Sequence, residues 1–288
     1  MSVMLSTLRP VRTLLFILLL PTFACDSNDD EAPLPQPSPE AYEPYFFSDG
    51  FESAARVEDL FPADGSRWTN LQRVNPNGGE NEVELRTDRF REGRQSLRIL
   101  AQATDEVLSK MDIEKAGFFA PAGSRVKIEA DFYLQTEDPV PNLFLLDLEC
   151  CSCWDPSVGE NQCPGIRLKF NGENHFLAVE RGKILGNTIG QTEVPFPTRE
   201  WVRLRWELDL SPTGDGRLVL AINDREVINQ ATRTLPSSEA FREAFAQEGI
   251  DFELQSPLGY ERVQVGATAN PTPHPVELYI DNFSLRVE

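Results

Sequence analysis

The chain has 288 residues and is strongly acidic, with 46 acidic against 27 basic residues and a formal net charge of −19. A charge of this sign repels phosphate backbones and anionic lipid, which argues against nucleic acid and acidic membrane surfaces as partners. It also argues against strongly anionic polysaccharides, unless a local basic groove overrides the net charge.

Residues 1–24 have the pattern of a signal peptide, in which Arg9 and Arg12 precede the apolar run Leu14–Leu20. This run is far shorter than the roughly 20 residues of a membrane-spanning helix, and it ends in small residues. The small residue before Cys25 resembles the end of a bacterial lipobox, so we expect Cys25 to carry lipid and to become the mature N-terminus. The alternative is an ordinary signal peptide that is cut near the same place.

Residues 25–45 predict a disordered tether, because acidic and proline-rich segments bury no core and favour extended backbone. With the lipid, this tether would be the protein's only attachment to a membrane. We therefore expect the protein in the bacterial cell envelope, anchored on the periplasmic or the outer face, or otherwise secreted. Residues 46–288 then form one folded domain.

Alternating apolar and polar residues predict strands along most of the domain. The predicted strands are 94–100, 125–134, 142–148, 165–170, 176–179, 201–208, 217–222 and 276–287. The continuous apolar run in 142–148 predicts a central strand covered on both faces. A helix is predicted over 239–247, with Ser237 or Ser238 as its N-cap. Many short strands separated by turn residues predict an all-β sandwich or jelly roll with one short helix.

Five segments carry a resemblance to a known fold family. In chain order they are Phe47–Ser53 with Trp68, Gly93–Arg98, Ser109–Ile113, Trp201–Leu204 and Tyr279–Phe283. Together they resemble the concanavalin A-like jelly rolls of bacterial secreted proteins, which include laminin-G-like domains and heparin-lyase-like polysaccharide lyases. The resemblance covers residues 46–288 and implies a jelly-roll β-sandwich. It leaves function open, because this fold hosts binding modules, lyases, hydrolases and structural spacers.

Four cysteines besides Cys25 lie close together, namely Cys150, Cys151, Cys153 and Cys163. An even number of clustered cysteines in an exported domain predicts two disulfides that hold a long loop. The alternative is a zinc site, but the paired C-x₂-C spacing of zinc ribbons is missing. The pairing of the four residues stays open.

Three carboxylates near the two ends of the domain suggest a metal site. In many jelly-roll carbohydrate modules the first and last strands are neighbours and hold a calcium ion, so the resemblance implies one structural Ca²⁺ at Asp49, Glu52 and Asp281. Calcium needs hard oxygen ligands of this kind. The alternative is that these are solvated carboxylates in turns.

A basic stripe is the candidate ligand surface. Arg167 and Lys169 alternate with apolar residues on one predicted strand, as do Arg203 and Arg205 on another, and Trp201 shares the face of the second pair. If both strands lie in the concave sheet, four cations and an indole line one groove. Such groups suit a sugar, since Trp stacks on pyranose faces and Arg donates to hydroxyls or carboxylates. The alternative is a solvated face with local ion pairs.

A catalytic role would require a base. A polysaccharide lyase removes the proton next to a uronate carboxylate, and Lys110, Tyr133 and His175 are the candidates for this chemistry. His175 also fits an ordinary turn after residues 171–172.

We therefore interpret the chain as a lipid-anchored sandwich that binds carbohydrate or another surface ligand without catalysis. The first alternative is a polysaccharide lyase of the same fold, and the second is a structural envelope protein.

Overall fold

The computed structural model describes residues 43–104, 109–155, 163–182, 187–247, 249–270 and 273–288. Within these ranges the strands are β1 Tyr45–Asp49, β2 Asn70–Val74, β3 Glu82–Arg86, β4 Ser96–Ala101, β5 Ser109–Pro121, β6 Arg125–Leu134, β7 Phe144–Glu149, β8 Gly165–Asn171, β9 Phe176–Arg181, β10 Asn187–Pro195, β11 Trp201–Asp209, β12 Arg217–Ile222, β13 Arg225–Ala231, β14 Gly259–Asn270 and β15 Val276–Val287. The helices are a 3₁₀ turn, Val57–Leu60, and one α-helix, α1 Ser238–Gln247.

The strands form two sheets of antiparallel neighbours. Sheet A has the order β13-β12-β11-β6-β15-β4-β3, with β1 also paired to β15. Sheet B has the order β10-β9-β8-β7-β14-β5-β2, which places β7 at its centre as predicted. The expected all-β jelly-roll sandwich with one short helix is confirmed.

The core lies between the two sheets because each strand turns alternate side chains inward. In sheet A, β6 buries Val126, Ile128 and Phe132, and in sheet B, β14 buries Val263 and Val265. These apolar positions repeat every second residue, so the side chains between them must leave the core.

A second, smaller cluster packs α1 against the cysteine loop. Trp154 contributes from the loop, Phe241 from the helix, and Phe252 and Leu254 from the chain that follows it. Ser237 caps the helix, since its hydroxyl accepts the N–H of Ala240 at 3.3 Å. The N-cap prediction is therefore confirmed at Ser237.

Both predicted disulfides are present. Cys150 pairs with Cys153, and Cys151 pairs with Cys163. The loop between β7 and β8 is thus closed on itself, directly beside the end of the central strand.

The signal peptide, most of the tether and Cys25 lie outside the described residues, so their roles remain predictions. Within the described ranges, none of the helices has the length and apolar character needed to cross a membrane.

Candidate functional site

The outward side of sheet B carries an unusual concentration of charged and amide side chains. On β5, for example, Met111 and Ile113 enter the core while the residues between them face the other way. We call this side the polar face. Its members are Lys110, Asp112 and Glu114 of β5, Arg262 and Gln264 of β14, Asp147 and Glu149 of β7, Arg167 and Lys169 of β8, and Glu180 of β9.

Strand register aligns half of these residues in one row across the sheet. The row is Glu114, Gln264, Asp147, Arg167 and Glu180, each opposite the next on neighbouring strands. Cross-strand neighbours on one face lie close enough to interact directly. The row therefore joins five strands into a single polar array.

Two buried ion pairs lie on the part of the polar face formed by β7, β8 and β9. The Nε of Arg167 lies 2.8 Å from Oδ2 of Asp147, and the Nζ of Lys169 lies 2.5 Å from Oε2 of Glu180. The four side chains are between 4% and 13% exposed. Pairing is required here, because a buried charge without a partner is strongly unfavourable.

Gln264 forms hydrogen bonds with three other side chains of the polar face. Its Nε2 donates to Oε2 of Glu114 at 3.3 Å and to Oε2 of Glu149 at 3.2 Å. Its Oε1 accepts a hydrogen bond from Nζ of Lys110 at 3.1 Å. The amide thus holds two carboxylates and an ammonium group in fixed positions.

Two further side chains contact the carboxylate of Glu114. Gln72 of β2 donates to its Oε2 at 2.6 Å, and Nη1 of Arg262 lies 3.2 Å from the same oxygen. Arg262 is about one-third exposed, which makes it the most accessible end of this network. Burial is the main cause that raises the pKa of Glu114 above its ordinary value.

Asp112 is the most unusual carboxyl group of the polar face. It is fully buried, and within the described residues neither of its oxygens has a hydrogen-bond partner. Burial raises its pKa to about 8, although Lys110, with Nζ 3.5 Å away, opposes that shift. A carboxyl group that keeps its proton near neutral pH can act as a hydrogen-bond donor or as a general acid.

Phe144 gives the polar face an apolar edge. Its ring centroid lies 4.9 Å from the guanidinium carbon of Arg167 and 5.6 Å from Nζ of Lys169. The ring remains partly exposed beside both cations.

The expectation that the basic stripe lines one groove is wrong. Arg167 and Lys169 lie on β8 in sheet B, whereas Trp201, Arg203 and Arg205 lie on β11 in sheet A. The two pairs face away from the core in both cases, but the core separates them. Alternation predicts that a side chain leaves the core, and it carries no information about which sheet the strand joins.

The outward side of sheet A engages its basic residues in local contacts. Arg203 pairs with Asp131 at 2.8 Å, and Arg205 lies 3.3 Å from Glu207. The ring of Trp201 packs edge-on against a neighbouring tyrosine. These contacts correspond to the alternative of local ion pairs.

The three candidate catalytic residues do not come together. Lys110 lies on the polar face of sheet B. Tyr133 lies on sheet A, where the guanidinium carbon of Arg89 is 4.1 Å from its ring centroid. His175 lies in the turn between β8 and β9 with a φ of 53°, and its Nε2 is 2.9 Å from the carbonyl oxygen of Asp138. The three residues therefore form no common site as arranged here.

The three predicted calcium ligands are engaged by donors of the chain itself. Asp49 pairs with Arg67 at 2.7 Å. Glu52 accepts two backbone N–H groups at 2.9 and 3.1 Å, and Asp281 accepts two others at 2.8 and 3.2 Å. These bonds cap loops rather than gather three carboxylates around one point, so the arrangement does not favour the predicted Ca²⁺.

Another group of potential metal ligands occurs in the described part of the chain. Ligand atoms of Glu149, Cys151 and Cys163 lie within 4.8 Å of one another. The two sulfurs are joined in a disulfide, so they are not available as thiolate ligands.

Sequence reasoning missed most of the polar face. Strands β5 and β14 were not among the predicted strands, although Lys110, Asp112 and Glu114 alternate with apolar residues. The same signal is present on β14, where Arg262 and Gln264 alternate with buried valines. Alternation would have identified each strand, but only the register between strands places these groups together.

Comparison with known proteins identifies the fold. No protein-family model and no curated protein sequence matches the chain. Similar solved structures include the endo-β-1,4-glucuronan lyase from the fungus Trichoderma reesei, with a TM-score of 0.56 and 10% identity over 76% of this chain and 90% of that one. The alginate lyase Aly36B gives a TM-score of 0.52 and 12% identity, covering 83% of this chain and 96% of that one.

A third similar structure is that of the cellulose-induced protein Cip1. It gives a TM-score of 0.50 and 14% identity, covering 83% of this chain and 96% of that one. At such low identities the similarity establishes the fold that these proteins share with this chain, and function must be argued from the site.

Proposed function

We propose that this protein binds a glycan along the polar face of sheet B. The observation that carries the proposal is the row of carboxylate, amide and guanidinium groups that runs across five neighbouring strands. The row itself is largely buried, and it holds in place the more accessible groups that would contact a sugar chain, the guanidinium of Arg262 and the partly exposed ring of Phe144. The lyase-type fold of the similar structures is consistent with a carbohydrate ligand.

The charge of the polar face favours a neutral, hydroxyl-rich glycan over a polyuronate. Its four basic side chains each lie near a carboxylate of the same face: Lys110 with Asp112, Arg262 with Glu114, Arg167 with Asp147 and Lys169 with Glu180. A polyuronate would have to compete with these carboxylates for the cations. The whole chain, at −19, adds long-range repulsion.

A catalytic alternative has one specific observation in its favour. Asp112 has a pKa of about 8 and lies beside Lys110, so a carboxyl group and an amine are held together near neutral pH. General acid–base catalysis uses groups whose pKa lies near the working pH. The alternative is therefore a polysaccharide lyase, or another acid–base reaction on a glycan, that uses these two residues.

A screen of the full chain in mild detergent against immobilised polysaccharides separates the possibilities. The panel contains neutral polymers, such as cellulose, xylan and mannan, and acidic polymers, such as alginate and glucuronan. Saturable binding to a neutral polymer without chain cleavage would support the proposal. Ultraviolet absorbance from unsaturated uronate product would establish the lyase. If the protein neither binds nor cleaves any polymer, the structural envelope role gains support.

We further propose that the protein is held at the cell envelope by lipid on Cys25, with residues 26–45 as the spacer. This rests on the sequence pattern alone. Expression of Cys25→Ser should move the protein from the membrane fraction to the soluble fraction. A wild-type protein that already fractionates as soluble would contradict the lipid anchor.

A further inference from the structure

The chain has two Asn–Gly dipeptides, Asn77–Gly78 and Asn171–Gly172. Asparagine is one of the chemically labile residues of proteins, because its side-chain amide can react with the backbone that follows it. A glycine in the next position favours this reaction, since it has no side chain to hinder the approach and leaves the backbone free to rotate. The two dipeptides are therefore candidate sites for the same covalent change, and their surroundings differ.

Asn77 and Gly78 lie in the turn between β2 and β3, and both are exposed. The N–H of Gly79 donates to the carbonyl oxygen of Pro76 at 3.2 Å, and Gly78 has a φ of 81°. This is the geometry of a type II turn, which favours glycine at its third position. A Cβ added to Gly78 would have no atom within 4 Å besides its chain neighbours, so nothing packs against the turn on that side.

The groups that would react at this turn have no competing hydrogen bonds. Within the part of the chain that the structure describes, no hydrogen bond engages the side-chain amide of Asn77, and no backbone oxygen accepts the N–H of Gly78. The side chain is therefore free to change rotamer, and the N–H is open to water. Both conditions are needed before the nitrogen of Gly78 can reach Cγ of Asn77.

Asn171 is held in place, although glycine follows it too. It is the last residue of β8, where it is paired with Phe176 of β9. Its Nδ2 donates to Oε1 of Gln191 at 2.7 Å. The same reaction at Asn171 would break this hydrogen bond and disturb the strand pairing, and both add to the barrier.

The turn that carries Asn77 is anchored by Asn81, which is fully buried. Its Nδ2 donates to the carbonyl oxygens of Val74 and Lys110 at 2.7 and 2.9 Å, and its Oδ1 accepts the N–H of Gln102 at 2.7 Å. These bonds join the two ends of the turn to β5 and to the residue after β4, and they do not involve Asn77. A covalent change at Asn77 therefore stays within the turn.

We propose that Asn77 is a site of spontaneous deamidation. The deprotonated backbone nitrogen of Gly78 attacks Cγ of Asn77, so that a new C–N bond forms, the bond to the side-chain nitrogen breaks, and ammonia leaves after gaining a proton from water. Water then opens the succinimide ring at either carbonyl carbon, which gives aspartate or isoaspartate. No oxidant, reductant or enzyme takes part. Each event adds one negative charge to the chain and involves none of the residues of the polar face.

Ageing of the full chain in mild detergent at physiological temperature, followed by peptide mass spectrometry, tests the site. Trypsin releases residues 74–86 with Asn77 and residues 170–181 with Asn171, so one digest measures both sites. We expect Asn77 to convert at least about tenfold faster than Asn171, because only Asn171 must break a hydrogen bond and a strand pairing. Conversion of Asn77 should be faster in mildly alkaline than in mildly acidic buffer, since the N–H of Gly78 must lose its proton.

Two variants separate the surroundings from the dipeptide itself. Asn77→Gln should stop conversion at this position, because ring closure onto the longer side chain is slower, and it should leave the rate at Asn171 unchanged. Gln191→Ala removes the hydrogen-bond partner of Asn171 and should speed conversion of Asn171 severalfold.

Conversion of Asn171 as fast as that of Asn77 would overturn the proposal, since the dipeptide alone would then set the rate. An unconverted Asn77 after prolonged ageing would overturn it as well. If Gln191→Ala leaves the rate at Asn171 unchanged, the hydrogen bond is not what protects that site. The aged chain, separated from the unreacted chain by anion exchange, should melt at the same temperature, and a lower melting temperature would show that the change is not confined to the turn.

Discussion

Two lysine–glutamate pairs, one on the outward side of each sheet, have the same chemistry and different physical environments. On sheet A, Lys127 and Glu129 lie 3.2 Å apart with side chains 33% and 36% exposed. On the polar face of sheet B, Lys169 and Glu180 lie 2.5 Å apart with side chains 10% and 13% exposed. Both are lysine–glutamate pairs on the outward side of a strand. Only the second pair is largely removed from water.

The difference shows that burial determines what a charged stripe can do in this protein. Exposed pairs contribute little, because water and salt screen them. Buried pairs depend on each other, since the loss of one partner leaves the other charge desolvated. The buried pair on the polar face is therefore held rigidly, whereas the Lys127–Glu129 pair on sheet A is solvated.

The largest expected effect comes from breaking a buried pair. Lys169→Ala leaves the Glu180 carboxylate with little water around it, so the free energy of unfolding should fall by about 3–5 kcal/mol. The matched change on sheet A, Lys127→Ala, should cost less than about 1 kcal/mol. Urea unfolding of both variants and the wild type measures the difference. Equal losses of unfolding free energy in the two variants would show that burial does not make the Lys169–Glu180 pair more important for stability than the Lys127–Glu129 pair.

Ligand binding gives the next largest effect. Arg262→Ala removes the accessible guanidinium of the polar face, and affinity for the glycan found in the screen should fall by about 1–3 kcal/mol. Arg203→Ala removes an arginine that also pairs with a carboxylate, but on sheet A, and should leave affinity unchanged. Titration calorimetry on both variants makes the comparison. A loss of affinity confined to Arg203→Ala would indicate that the ligand binds to sheet A instead.

The pH dependence of stability tests the burial of Asp112 on the polar face. The pKa of Asp112 is about 8 in the folded protein and near its ordinary value of 3.8 when unfolded, so between these values the folded state binds a proton that the unfolded state lacks. Stability should therefore fall as pH rises from about 4 to about 8, by at most about 1.4 kcal/mol per pH unit from this group. It should then level off, because both states are ionised above that window.

The variant Asp112→Asn removes this proton from the folded state. Its stability should equal that of the wild type more closely at pH 4 than at pH 8, where the variant should be the more stable protein. Lys110, Glu114 and Glu149 also face Asp112, so the difference between variant and wild type is the informative quantity. A difference that does not change with pH would show that Asp112 is ionised throughout.

Salt gives the smallest effect. The coupling energy between Lys127 and Glu129, measured by a double-mutant cycle, should be a few tenths of a kcal/mol and should vanish near 1 M NaCl, where the Debye length is about 3 Å. The coupling between Lys169 and Glu180 should persist under the same conditions, because salt does not enter a buried pair. A salt-sensitive Lys169 pair would indicate that the polar face is open to water.

Much of the fold could be predicted from local pattern. Strands β6 and β12 have the predicted bounds, 125–134 and 217–222, and the helix begins at the predicted cap. The two disulfides followed from the clustering of four cysteines in an exported chain, although their pairing did not. These features depend on a few consecutive residues, which is why local patterns predicted them.

The candidate site was predicted only in part. Arg167 and Lys169 were correctly directed away from the core, but they were grouped with arginines that lie on the other sheet. The other members of the polar face range from Glu180, 11 residues after Lys169, to Gln264, 97 residues after Arg167. The sequence contains no local signal for such pairings, because strand order depends on how distant segments pack.

The amino-acid sequence by itself determined the sandwich class, the direction in which most strand residues point, and the chemical types available on each face. A period of two residues is sufficient for this, since each side chain either enters the core or leaves it. The tertiary structure alone decided which strands are neighbours, and hence that Gln264 lies between two carboxylates. It also decided which charges are buried. Alternation is the same on both sheets, whereas desolvation depends on everything packed around a side chain, and that is what distinguishes the Lys169–Glu180 pair from the Lys127–Glu129 pair.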